Sequence, residues 1–192
     1  MDAWVWIVII VAALLVIGFV AWTLGTKLRT DRLQRRFGPE YERTIEQAES
    51  RKEAESELSA RMKRRRELEI QPVSPETAER YTVEWRDVQA RFVDQPSEAV
   101  KDADQLVTRL MQERGYPTDD FEQQAADVSV DHPNVVDNYR GAHTVWLSNE
   151  QGKAETEDLR RAMVHYRSLF EELLERETPE SEQPEAEQLE AR

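Results

Sequence analysis

The sequence predicts an all-α protein: an N-terminal transmembrane helix, a charged stalk helix, then a compact bundle of about five helices. Three observations carry this. Between Ala3 and Thr26 no residue is charged, whereas charge is dense afterwards. Beyond residue 70, apolar residues recur at alternating spacings of three and four, the period of an amphipathic helix. With six glycines and eight prolines among 192 residues, the chain is poor in the turns that all-β folds need.

Residues 1–26 are expected to be an uncleaved anchor. As a helix, Ala3 to Thr26 would reach about 36 Å, longer than the roughly 30 Å hydrocarbon core. Trp4 and Trp6 mark one end and Trp22 the other, as indoles do at membrane interfaces. A signal peptide needs a basic n-region and small residues at its cleavage site; Met1-Asp2 and Ala21-Trp22-Thr23 offer neither. Residues 27–39 form a basic juxtamembrane segment. Lys27, Arg29, Arg32, Arg35 and Arg36 stand against Asp31 alone and are expected to contact lipid headgroups. The positive-inside rule then places the N-terminus outside and the C-terminal domain in the cytoplasm, so the expected location is the cell membrane, single-pass.

Phe37-Gly38-Pro39 breaks the chain. Residues 40–70 read as a charged stalk helix supported by i,i+4 pairs such as Arg51 with Glu55 and Glu57 with Arg61. Its apolar stripe is thin. Tyr41, Ile45 and Ala48 hold one register, Ala54, Leu58 and Met62 another, and the slip falls near Arg51-Lys52-Glu53. A continuous coiled-coil seam does not slip, so the stalk should self-associate only weakly or fold back on the distal domain. The run Arg61-Met62-Lys63-Arg64-Arg65-Arg66 is flanked by acids in a chain of net charge −13. It reads as a solvated helix face, and no nucleic-acid partner is expected.

Residues 71–176 read as the bundle domain. Ser74 and Pro75 suit an N-cap and first helical residue. Ala78, Tyr81, Trp85, Val88 and Phe92 form the first stripe; Val100, Ala103, Val107 and Leu110 the second, closed by Gly115. A short helix, capped by Thr118, carries Phe121, Ala125 and Val128. Val135, Tyr139, Ala142 and Trp146 mark a fourth helix, and Leu159, Met163, Tyr166, Phe170 and Leu173 a fifth. Residues 177–192, with six glutamates and two prolines, read as a disordered acidic tail.

The sequence offers little chemistry. The absence of cysteine removes disulfides, thiolate metal sites and thiol nucleophiles. No phosphate-cradling glycine loop or nucleophile elbow is present. His132, His143 and His165 lack the i,i+4 or Glu-x-x-His spacing of helical metal sites. No catalytic residue, cofactor or metal is therefore expected, and the protein is not expected to be an enzyme. His143, one turn from Tyr139 and Leu147, reads as a core residue, and His132 as a turn or cap. The stretch from Arg114 to His143 is richer, concentrating turn residues, aromatics and polar groups. It is either a tightly specified corner or a partner-binding surface built from Tyr116, Asp131, His132, Tyr139 and Arg140.

The strings Arg114-Gly115-Tyr116-Pro117, Asp120-Phe121-Glu122-Gln123 and Val130-Asp131-His132-Pro133 carry a resemblance. So do Arg91-Phe92-Val93-Asp94, Asp158-Leu159-Arg160 and Tyr166-Arg167. Over most of the chain after residue 40, the sequence resembles a family of uncharacterised bacterial single-pass membrane proteins. Its members are labelled hypothetical, membrane or "secreted". The resemblance implies the same architecture and supplies no activity, cofactor or site residue. The leading expectation is a membrane-tethered scaffold holding a protein partner at the cytoplasmic face. The alternatives are a ligand-binding or enzymatic bundle with its site near His143, Tyr139 and Trp146, and an envelope-stress or lipid-sensing protein.

Overall fold

The computed structural model describes residues 27–175 together with Trp4, Ile17 and Gly18. Every regular element among them is helical. Residues 27–37 form α1. It is followed by α2 (Pro39–Gln47), α3 (Arg51–Glu67), α4 (Pro75–Arg91), α5 (Pro96–Arg114), α6 (Phe121–Asp131), α7 (Val136–Glu150) and α8 (Thr156–Leu174). Among the described residues no helix is long and apolar enough to cross a membrane. The expected anchor, apart from Trp4, Ile17 and Gly18, lies outside the described residues, as do Trp6, Trp22 and the acidic tail. Trp4 and Ile17 are exposed.

Helix starts follow local chemistry. Ser50 and Ser74 each accept the backbone N–H three residues on, from Glu53 at 3.3 Å and Thr77 at 3.1 Å. This satisfies a donor that a helix start otherwise leaves bare. Pro39, Pro75 and Pro96 open α2, α4 and α5, where the missing N–H costs nothing. The expected cap at Thr118 is displaced. Asp120 takes that role, its carboxylate accepting from Gln123 N at 2.9 Å. Glu155 and Asp158 cap the start of α8 reciprocally.

Two hydrophobic cores result. The larger is built from α4, α5, α7 and α8 with part of α6. Trp85, 5% exposed, stacks on Phe170 with centroids 4.8 Å apart, tying α4 to α8. The smaller gathers Leu33 and Phe37 from α1, Tyr41 from α2, Leu58 from α3 and Val130 from α6, with Ile45 and Met62 at its margin. Val130 belongs to a bundle helix, so the second core is the place where the N-terminal helices meet the bundle.

The single charged stalk expected over 40–70 is thus a helical hairpin. Ala48, Glu49 and Ser50 interrupt it, three residues before the register slip, and α3 packs on α6. The thin apolar stripe is what allows this: neither half has enough apolar surface to pair along its length, but Tyr41 and Leu58 together fill one compact site. The basic segment 27–39 is likewise no loose tether, because Leu33 and Phe37 bury one face of α1.

Gly115 fixes the junction between the two cores. It ends α5 at φ 98°, with Tyr116 N donating to Met111 O at 2.9 Å and Gly115 N to Gln112 O at 2.9 Å. The 68–74 connection presses against it. Gln71 N donates to Arg114 O at 2.9 Å, and a Cβ on Gly115 would stand 2.5 Å from the carbonyl oxygen of Glu69.

Two outcomes are expected in denaturant unfolding of the full chain in detergent. Trp85→Ala should cost about 3–5 kcal/mol, the range for losing a buried aromatic. Gly115→Ala should destabilise by on the order of 1–3 kcal/mol, combining left-handed backbone strain with a backbone clash. A loss below about 1 kcal/mol in either would show that the position is not the anchor described.

Candidate functional site

The most concentrated polar chemistry lies along the seam between the N-terminal helices and the bundle. Glu40 sits in the first turn of α2, with no exposed surface. A bare carboxylate there would be very costly. Arg140 of α7 grips it with two nitrogens, Nη1 to Oε2 at 2.7 Å and Nη2 to Oε1 at 2.9 Å. Arg61 of α3 donates to Oε1 at 2.7 Å, and Arg43 approaches Oε2 at 3.7 Å. Burial by itself would raise the pKa of Glu40. The hydrogen bonds and charges of Arg140 and Arg61 outweigh it and hold the carboxyl below its ordinary 4.5.

The same pattern repeats along α6. Asp127 accepts from Arg64 Nε at 3.0 and 3.2 Å and from Gln123 Nε2 at 3.0 Å. Asp131 accepts from Tyr116 OH at 2.7 Å, from Arg36 Nη2 at 3.3 Å and from Arg65 Nε. Arg61 also reaches Ser129 Oγ at 3.3 Å. The basic run expected to be a solvated face therefore turns Arg61, Arg64 and Arg65 toward carboxylates of the same molecule, with Arg61 and Arg65 half-buried and Arg64 still exposed. They lie at i, i+3 and i+4 on α3, facing the carboxylates of α2 and α6.

This placement corrects the expected partner-binding surface. Tyr116, His132 and Tyr139 are buried, and the Asp131 and Arg140 side chains nearly so. Tyr116 sits beneath the seam, where burial and then the Asp131 charge push its hydroxyl well above the usual tyrosine range. His132 ends α6 and places Nδ1 3.2 Å from Glu172 Oε2 on α8. Tyr139 donates to Gln124 Oε1 at 3.1 Å inside the larger core. These five residues read as interface anchors because of their types, but the interface they serve is internal.

A second cluster surrounds His143. Its ring stacks on Phe121, with centroids 3.5 Å apart and 9° between planes, and Trp146 tilts against its other side at 5.0 Å. Nδ1 lies 3.6 Å from Asp104 Oδ1, and Tyr166 OH donates to the same oxygen at 2.8 Å. Burial, followed by the Asp104 charge, raises the pKa of Tyr166, so its hydroxyl stays a donor. On α8, Glu172 serves His132 and Asp158 caps the helix start, so neither partners His165. Burial, then the Arg161 charge, lowers the His165 pKa.

The headgroup-contact candidates divide by direction. Arg29 Nη2 donates to Ser59 Oγ at 2.9 Å on α3, and Arg36 shares Asp131. Lys27, Arg32 and Arg35 are exposed and have no carboxylate in ion-pair range among the described residues. Among the described residues there is also no group of three or more His, Asp or Glu side chains placed to hold a metal. The chain matches no protein-family model, no curated protein and no solved structure.

The seam has a measurable signature. Arg140→Ala leaves the buried Glu40 carboxylate short of its two-nitrogen partner and should cost about 3–5 kcal/mol, as breaking a buried pair does. Arg160→Ala, in the exposed pair with Glu157, should leave the denaturation midpoint nearly unchanged. Because Glu40 is held below 4.5, its stabilisation is full above that pH and is lost as pH falls through the lowered folded value. Glu40→Gln should therefore flatten the acid limb of the stability–pH curve; an unchanged limb would show that Glu40 does not carry it.

Proposed function

We propose that this chain is a membrane-tethered helical scaffold that holds a protein partner at the cytoplasmic face of the membrane. The observation that carries the reading is the continuity of its N-terminal end. An uncharged apolar stretch from Ala3 to Thr26 runs directly into the basic α1, and α1 is packed by Leu33 and Phe37 into the folded body. A body attached in this way stays close to the bilayer. The excess of Lys and Arg just after the apolar stretch favours a cytoplasmic body. The resemblance to single-pass membrane proteins favours the same architecture. Tyr116 and Arg140 are not part of the partner surface in this reading, since both serve the seam.

A second reading is favoured by the His143 cluster: a bundle that binds a small ligand beside Phe121, His143 and Trp146. An imidazole whose buried Nδ1 has no hydrogen-bond partner among the described residues, with the Asp104 carboxylate 3.6 Å away, is the kind of group that recognises a polar ligand.

Alkaline phosphatase fused after Arg192 should be inactive in cells, while a fluorescent protein fused there should mature. Active phosphatase would reverse the orientation and match the "secreted" label. His143→Gln separates scaffold from ligand site. Under the scaffold reading it lowers thermal stability through lost Phe121 stacking, and recovery of partner from crosslinked membranes falls only as far as folded protein falls. A small molecule that stabilises the wild type but not His143→Gln would move the function into the His143 cluster.

A further inference from the structure

On α1, Leu33 and Phe37 point into the smaller core, and at about 100° per residue the opposite face is fixed. Leu28, Asp31, Arg32 and Arg35 fall there, at i, i+3, i+4 and i+7, and together with Arg36 they line one open surface depression. Leu28 is 69% exposed, a large apolar side chain standing among arginines. Among the described residues lining the depression Asp31 is the one acid, against Arg32, Arg35 and the half-exposed Arg36. Among the described residues no carboxylate lies in ion-pair range of Arg32 or Arg35, although the chain as a whole is acidic.

We propose that this outer face of α1 is a docking surface for anionic phospholipid, with α1 lying along the bilayer surface between lipid and protein. The inference rests on the membrane-tethered reading and adds a pose to it. Leu28 enters the interface, Arg32 and Arg35 take lipid phosphates, and Arg29 and Arg36 stay committed to Ser59 and Asp131. The collar thus has two jobs, Arg32 and Arg35 turned to lipid and Arg29 and Arg36 holding the helix to the body. The occupant follows from charge complementarity and from the chain: the depression begins two residues after the uncharged stretch ends at Thr26. An exposed leucine flanked by unneutralised arginines is the composition of an interfacial helix face.

The chain has no cysteine, so a single nitroxide label at Leu28→Cys reports this face, and one at Val93→Cys, at the exposed α4–α5 turn, serves as reference. The full chain is reconstituted in vesicles of phosphatidylcholine alone or mixed with phosphatidylglycerol. Accessibility to a water-soluble paramagnetic relaxant should drop at position 28 only in the anionic vesicles, and stay constant at position 93. Arg32→Gln and Arg35→Gln should each weaken the protection roughly fivefold, as expected for a basic residue at an anionic surface. Arg29→Gln should leave it intact. Equal accessibility at position 28 in both vesicles, or equal loss of protection in Arg29→Gln, would overturn the docking face while the tether stands. Protection by inorganic phosphate in detergent would also overturn it, assigning the face to soluble anions. Release of the wild type from cell membranes by alkaline carbonate would instead sink the tether and this inference with it.

Discussion

A carboxylate cannot be buried between helices without cations aimed at it, and Glu40 is buried where three helices meet. Its partners come from α2, α3 and α7, separated by as many as 100 residues in the chain. Removing water from these groups is expensive, and the attraction among them does little more than offset that expense. What the cluster gives is specificity. Only one docking of the α2–α3 hairpin lets Arg61 reach Glu40, Arg64 reach Asp127 and Arg65 reach Asp131 together. The apolar contribution, from Leu33, Phe37, Tyr41, Leu58 and Val130, supplies the burial, and the ion pairs supply the register.

That constraint shapes the proposed function. A charged helix carrying a bundle on its tip would leave the bundle free to sweep a volume below the membrane. A hairpin packed on α6, continuous with a helix whose other face is basic, would under the proposed tether hold the bundle at one height and orientation. For a scaffold this matters because a partner engaged at a fixed pose pays less in lost freedom than one caught on a mobile arm.

The helical class and much of the larger core were legible in the sequence, since three–four spacing reports burial directly. Trp85, Leu110, Tyr166 and Phe170 all occupy the stripes that the spacing marks. The stalk does fold back on the distal domain, one of the two outcomes its thin stripe allows, but as two helices and not one, because its local signals are those of a solvated helix: many i,i+4 pairs and few apolar residues. Nothing near Glu40 in the chain announces Arg140. The register slip before Ala54 was the one local sign of the break, and Ser50 with Glu53 completes it. The corner from Arg114 to His143 was singled out for the right residue types. Whether tyrosine and arginine face outward or inward depends on what packs over them, and here α1–α3 cover them. His143, read as a core residue, is half-buried against Phe121 and Trp146, and its neighbour Asp104, on α5, left no trace in the local pattern.

The claim on which the rest depends is that the N-terminal helices and the bundle form one body. It is tested most directly by electron–electron distance measurement in the full chain in lipid, with nitroxides at Gln34→Cys on α1 and Gln105→Cys on α5. Both positions are exposed, and the native chain contributes no cysteine. A locked seam gives a single narrow distance distribution that broadens when Glu40 and Arg140 are both replaced by alanine. A broad distribution in the wild type, unchanged by those replacements, would show a flexible stalk and contradict the seam.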